Sequence, residues 1–125
     1  MRYMLLVYTD ERLLPEFMTP RVYEQFEALG RELRSSGRLR LTGGLAATSS
    51  ATTVRVRDGQ VLVTDGPFAE TREQLGGFTL AEFGSIEDAI AMAARVPTAA
   101  IGCVELRLPE SVRCHPPATP DEAAG

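Results

Sequence analysis

The sequence contains no lysine, no asparagine and no tryptophan, with a single histidine and two cysteines. Without lysine there is no Schiff-base chemistry and no P-loop, because both need that amine. All 13 basic residues are Arg. The joint loss of Lys and Asn points to a GC-rich coding genome rather than to a function. The cysteines, Cys103 and Cys114, show no Cys-x-x-Cys spacing, so no zinc site is expected. No Gly-x-Ser-x-Gly is present, so nucleophilic catalysis has no sequence support. No apolar run approaches the roughly 18 residues of a membrane span. The start, from Met1 to Asp10, is too short in apolar residues for a secretory signal, and a cytoplasmic chain is expected. Cations are also short: 17 acidic against 13 basic residues give a net charge of −4, which steers nucleic acid and anionic membranes away.

What is present fits one soluble domain. The length is 125 residues, with 44% hydrophobic and 24% charged. Residues 3–8 read as a central strand, since both alternating sets are apolar or aromatic. Residues 11–19 read as a loop. Thr19-Pro20 then starts a helix, and Val22, Phe26, Leu29 and Leu33 make its apolar stripe up to Gly37. Gly30 in mid-helix costs about 1 kcal/mol relative to Ala, and close helix–sheet packing would explain it. Residues 38–46 are weakly strand-like. Thr53–Arg57 and Gln60–Thr64 flank Asp58-Gly59, a two-residue type I′ hairpin that pairs Val56 with Val61 and Val54 with Val63. Gly76-Gly77 opens a strand through Phe83. Ser85 caps a helix with Ile86, Ala89, Ile90, Ala93 and Ala94 on its apolar face. Val96-Pro97 stops it. Residues 103–108 alternate as a last strand, with Cys103 as a small buried hydrophobe. Residues 1–109 form the domain, and the proline-rich stretch 110–125 is expected to be a disordered tail.

The order is strand, helix, strand, inserted hairpin, strand, helix, strand. That is an α+β, ferredoxin-like split βαβ pattern: an antiparallel sheet with two helices on one face. The other face needs cover. Tyr3, Leu5, Val7 and their neighbours suggest a second copy, giving a homodimer of the α+β barrel type.

Met1–Tyr8, Thr53–Gly59, Val63–Thr71, Glu73–Phe78 and Val104–Arg107 together resemble the YCII-related, DGPF-type family. The Asp-Gly-Pro-Phe-Ala-Glu-Thr run from Asp65, continued by Glu73-Gln74-Leu75-Gly76-Gly77-Phe78, is the most specific part. The resemblance implies a bacterial, dimeric, ferredoxin-like domain, in some members linked to sigma-factor responses. Some relatives carry a His–Asp pair suggestive of an enzyme. Here the first helix has no histidine, and His115 lies in the tail, so that pair is not supported.

Candidate site residues remain. Asp65 reads either as a carboxylate base at a cleft or as a turn residue, and turn chemistry alone explains Asp-Gly-Pro. Phe68 is expected in a core or interface. Glu70, Arg72 and Glu73 form a charged cluster in which Arg72 could grip an anion through its planar fork; a solvated loop is the simpler reading. Arg55 and Arg57 share a hairpin face, which reads as a solvent face. Tyr8 and Glu82, at strand ends, could line a cleft. The expectation is a homodimeric domain that binds a small ligand or a sigma-factor-linked protein, with no cofactor and no metal. The competing readings are an acid–base enzyme using Asp65 and Glu70 on a small anionic substrate, and a purely structural dimer. Whether the chain is an enzyme stays open.

Overall fold

The computed structural model describes residues 1–113. Cys114, His115 and most of the expected tail lie outside the described residues. Among the described residues six strands form: β1 (Arg2–Thr9), β2 (Leu39–Gly44), β3 (Thr52–Arg57), β4 (Gln60–Asp65), β5 (Gln74–Glu82) and β6 (Gly102–Arg107). The helices are α1 (Leu14–Phe17), α2 (Pro20–Ser35) and α3 (Ile86–Ala93). Short 3-10 turns cover Glu11–Leu13, Thr48–Ser50 and Pro97–Ile101.

The main sheet runs β2-β5-β1-β6, entirely antiparallel. Without the hairpin, that is the ferredoxin-like α+β order, with β5 inserted between β1 and β2. The apolar β1 is central, as its two apolar sets require. Its register with β5 pairs Tyr3 with Ala81 and Leu5 with Thr79 on one face, and Met4 with Leu80 and Leu6 with Phe78 on the other. Tyr3, Leu5 and Ala81 pack with Leu29 and Leu33 of α2 and with Ala89, Met92 and Ala93 of α3, forming the core. The sheet face left without helices is therefore that of Met4, Leu6, Phe78 and Leu80. Tyr3 and Leu5, expected to seek a partner chain, are buried inside their own.

Both helices start as the sequence indicates. Thr19 Oγ1 accepts from Val22 N at 3.3 Å, and Ser85 Oγ accepts from Asp88 N at 3.2 Å. The hairpin β3–β4 is a separate two-stranded sheet with the expected register, Val54↔Val63 and Val56↔Val61. Its turn has φ of 51° at Asp58 and 75° at Gly59, the positive values that a type I′ turn demands.

Four expectations are corrected. Residues 11–19 are not plain loop, because Pro15 sits in the first turn of the one-turn helix α1. β5 begins at Gln74, so the Gly76-Gly77 pair lies inside the strand. Helix α3 turns Met92 inward, while Ile90 is 53% exposed. Cys103 is exposed rather than buried.

Candidate functional site

Helix α2 leaves room above β2 and β5. Between them lies a cavity of about 730 Å³, within the size range of small-molecule pockets. Its roof is Tyr23, Phe26, Leu29, Gly30 and Leu33 of α2, and one end is closed by Leu14 and Pro15 of α1 and by Met18 just after it. The floor combines Val7 and Thr9 of β1 with Thr42, Gly43, Gly44, Gly76, Gly77 and Thr79. Gly30 is not a close-packing residue: a Cβ there would meet nothing within 4 Å. It instead widens the roof. The glycines of β2 and β5 leave the floor without side chains at one end. Gly77 lies against the facing strand, since a Cβ there would stand 3.4 Å from Gly43 O.

Two polar pegs hold the mouth together. In the first, Asp10, only 3% exposed, receives Arg12 Nη2 at 2.8 Å and Arg12 Nε at 3.1 Å. Its carboxylate also caps the following turn by accepting from Arg12 N. Arg72 approaches the same carboxylate at 3.8 Å. The hydrogen bond from Arg12 holds the Asp10 carboxyl below its ordinary range, against the opposing effect of burial. In the second peg, Glu11 accepts from Thr48 N at 2.9 Å and from Thr48 Oγ1 at 2.8 Å. Glu11 N donates to Gln74 Oε1 at 3.2 Å, and Gln74 Nε2 donates to Thr71 O. Three distant segments, 9–12, 47–50 and 71–74, thus meet at one edge. Thr98 also lines the cavity, with its Oγ1 buried and without a hydrogen-bond partner among the described residues.

The residues singled out from sequence do not gather here. None of Tyr8, Asp65, Glu70, Arg72, Glu73 and Glu82 lines this cavity. Asp65 ends β4 and is exposed. The turn that follows is tied to the hairpin, with Gly66 at φ 100°, Gly66 N bonded to Ala51 O at 2.7 Å and Thr53 Oγ1 bonded to Gly66 O at 2.7 Å. Gly66 thus supplies a positive φ directly after Asp65. Phe68 is 76% exposed, so it is not a core residue. Arg55 Nη2 donates to Phe68 O at 3.0 Å, so that arginine braces the loop rather than only facing solvent. Glu70 is exposed, and Arg72 is engaged with Asp10 as described.

Glu82 belongs to an ion cluster on the open sheet face. Arg2 bonds its carboxylate, with Arg40 at 3.8 Å and the N-terminal amine at 3.7 Å. The Arg2 bond lowers its pKa from the ordinary value. Tyr8 Oη reaches Glu105 at 3.5 Å. Glu73 lies beside Cys103, whose thiol is pushed up first by partial desolvation and then by that carboxylate, which makes it a poor nucleophile at neutral pH. Among the described residues, no group of three His, Cys, Asp or Glu side chains is arranged to hold a metal ion. No helix among them is long and apolar enough to cross a membrane.

The residues that do build the site, Asp10, Glu11, Gly30, Thr48 and Gln74, were not singled out as site residues in the sequence. Only Gly30 carried a signal, as a glycine inside an amphipathic helix with no turn to make.

Comparison with known proteins places the chain. The model of the YCII-related domain matches residues 1–108. The chain is also similar to an uncharacterized protein of Rhizobium meliloti (strain 1021), 37% identical over 93 residues, which cover 72% of this chain and 75% of that protein.

Proposed function

Because this chain belongs to the YCII-related domain family, we propose a function that this fold can host without a catalytic pair: reversible binding of a small, largely apolar ligand. The observation that carries this reading is the cavity of about 730 Å³ under α2, roofed by side chains such as Phe26, Leu29 and Leu33. Apolar walls with a few placed polar groups are the usual make-up of ligand pockets. An acid–base reaction needs titratable groups converging on a partly dry site. Asp65 and Glu70 are both exposed and outside the cavity.

The test uses Nile red, a neutral apolar dye whose emission rises on leaving water. Wild-type chain should bind it saturably. Gly30→Leu, whose side chain would enter the open roof, should lose that binding while its circular dichroism stays helical. Equal dye binding by both chains would remove the cavity from the account.

A homodimer completes the reading. The open sheet face carries the half-buried Met4, Leu6 and Phe78 at its centre, beside Leu80, which its own chain already buries, with Arg2, Glu82, Glu105 and Arg107 around them by register. An apolar centre with both charge signs at its rim suits a two-fold contact with a second copy. The hairpin adds Val54, Val56, Val61 and Val63, each 59–66% exposed; isolated two-stranded hairpins are marginal in water and gain from being covered. Coupling to a sigma-factor-linked response would make the domain a ligand sensor, and pull-down of that sigma factor with and without ligand tests the extension.

A further inference from the structure

We infer that the cavity takes an organic ammonium, a ligand with an apolar body and a cationic head seated on Glu11. The inference rests on the binding reading above and adds the chemistry of the ligand. Among the described residues lining the cavity, Glu11 and Tyr23 are the only ionisable ones. Among the described residues, no arginine lines it. The Glu11 carboxylate is held by two neutral donors, Thr48 N and Thr48 Oγ1, at 2.9 and 2.8 Å. Among the described residues, no cationic group stands within salt-bridge distance of it. The two nearby arginines are drawn to Asp10 instead, Arg12 at 2.8 Å and Arg72 at 3.8 Å.

A carboxylate offers about four lone-pair sites. Two are filled, and its negative charge is left without a counter-charge beside apolar walls. Several of the remaining polar groups of the wall are already bonded, and Thr98 Oγ1 is a hydroxyl buried without a partner among the described residues. Thr42 Oγ1 meets Thr79 Oγ1 at 3.0 Å and Phe78 O at 3.3 Å, while Gln74 is held at both ends of its amide by Glu11 N and Thr71 O. The strongest unmet interaction on the cavity surface is therefore with a cationic donor. A carboxylate ligand would meet Glu11 with no compensating cation, in surroundings of reduced dielectric. A neutral ligand would gain only from apolar contact.

Three probes with one apolar body separate these cases by calorimetry: naphthylethylamine, naphthylethanol and naphthylacetate. The amine should bind roughly tenfold tighter than the alcohol, as a charge-assisted bond would give, and the acetate weakest. Glu11→Gln preserves an acceptor for Thr48 N and should bring the amine to the affinity that the alcohol shows on the same variant. An alcohol or acetate that equals the amine overturns the inference and leaves the cavity reading standing, as does an amine preference that survives Glu11→Gln. Failure of all three probes overturns both. Should Glu11→Gln not fold, the order of the three on the wild-type chain decides.

Discussion

Gly30 is the residue on which the ligand reading turns. Glycine in a helix interior costs about 1 kcal/mol relative to alanine, and here no tertiary contact requires it, since a Cβ would meet nothing within 4 Å. Gly30→Ala should therefore raise stability by roughly 0.5–1 kcal/mol, read as a higher urea midpoint at unchanged m-value. A lower midpoint would mean that the helix needs the close approach that the sequence alone suggests. Asp10 makes the second residue-scale prediction. Its folded pKa is lowered by Arg12. A depressed carboxylate stabilises the fold at pH above its unfolded value near 3.9 and loses that contribution as pH falls through the folded value. Acid titration of stability should thus show a steeper loss below about pH 4 in wild type than in Asp10→Asn. Parallel curves would show that the pair with Arg12 adds nothing. Neither Asp10 nor Glu11 was legible as a site residue. Each reads locally as the polar end of β1, and the residues that tie them to other segments, Arg72, Thr48 and Gln74, lie tens of residues away. The Asp65 motif stood out for the opposite reason: its residue order is specific, while Asp65 itself stands exposed at the end of β4, outside the cavity.

At the scale of elements, periodicity carried most of the fold. β1, α2 and the β3–β4 hairpin were legible almost to the residue, because one-face burial, capping and a type I′ turn are all local. Elements whose cause is tertiary were read less well. β5 continues through Gly76-Gly77 because its neighbours β1 and β2 pair with it there, Val7↔Gly77 and Gly44↔Gly77. Helix α3 presents Met92 rather than Ile90 to the core, a choice between two apolar residues that sequence pattern does not make. The β1–β6 junction offers a sharp test. A Cβ on Gly102 would stand 1.9 Å from Tyr8 O and 2.9 Å from Thr9 Cα. Backbone atoms cannot retreat as a side-chain tip can. Gly102→Ala should cost more than about 3 kcal/mol or prevent folding, in contrast to Gly30→Ala. Denaturation of the two variants side by side checks this, and equal stabilities would contradict the packing described.

For the whole molecule, two helices cover one sheet face and leave the other open. The proposed homodimer predicts a light-scattering mass twice the chain mass of 13.6 kDa. Replacing Leu6, a half-buried residue at the centre of the open face, by Glu should return the mass to that of one chain. A wild-type mass near 13.6 kDa would contradict the dimer while leaving the cavity untouched. The cavity itself is the central claim, and five glycines ring it: Gly30, Gly43, Gly44, Gly76 and Gly77. Their backbone amides fall in a well-separated region of a nitrogen–proton correlation spectrum. Titrating the labelled chain with naphthylethylamine is the most direct measurement. Saturable shifts confined to these five, with Gly37, Gly59 and Gly66 unmoved, are the predicted result; shifts centred on Gly59 and Gly66 of the hairpin, or none at all, would contradict it.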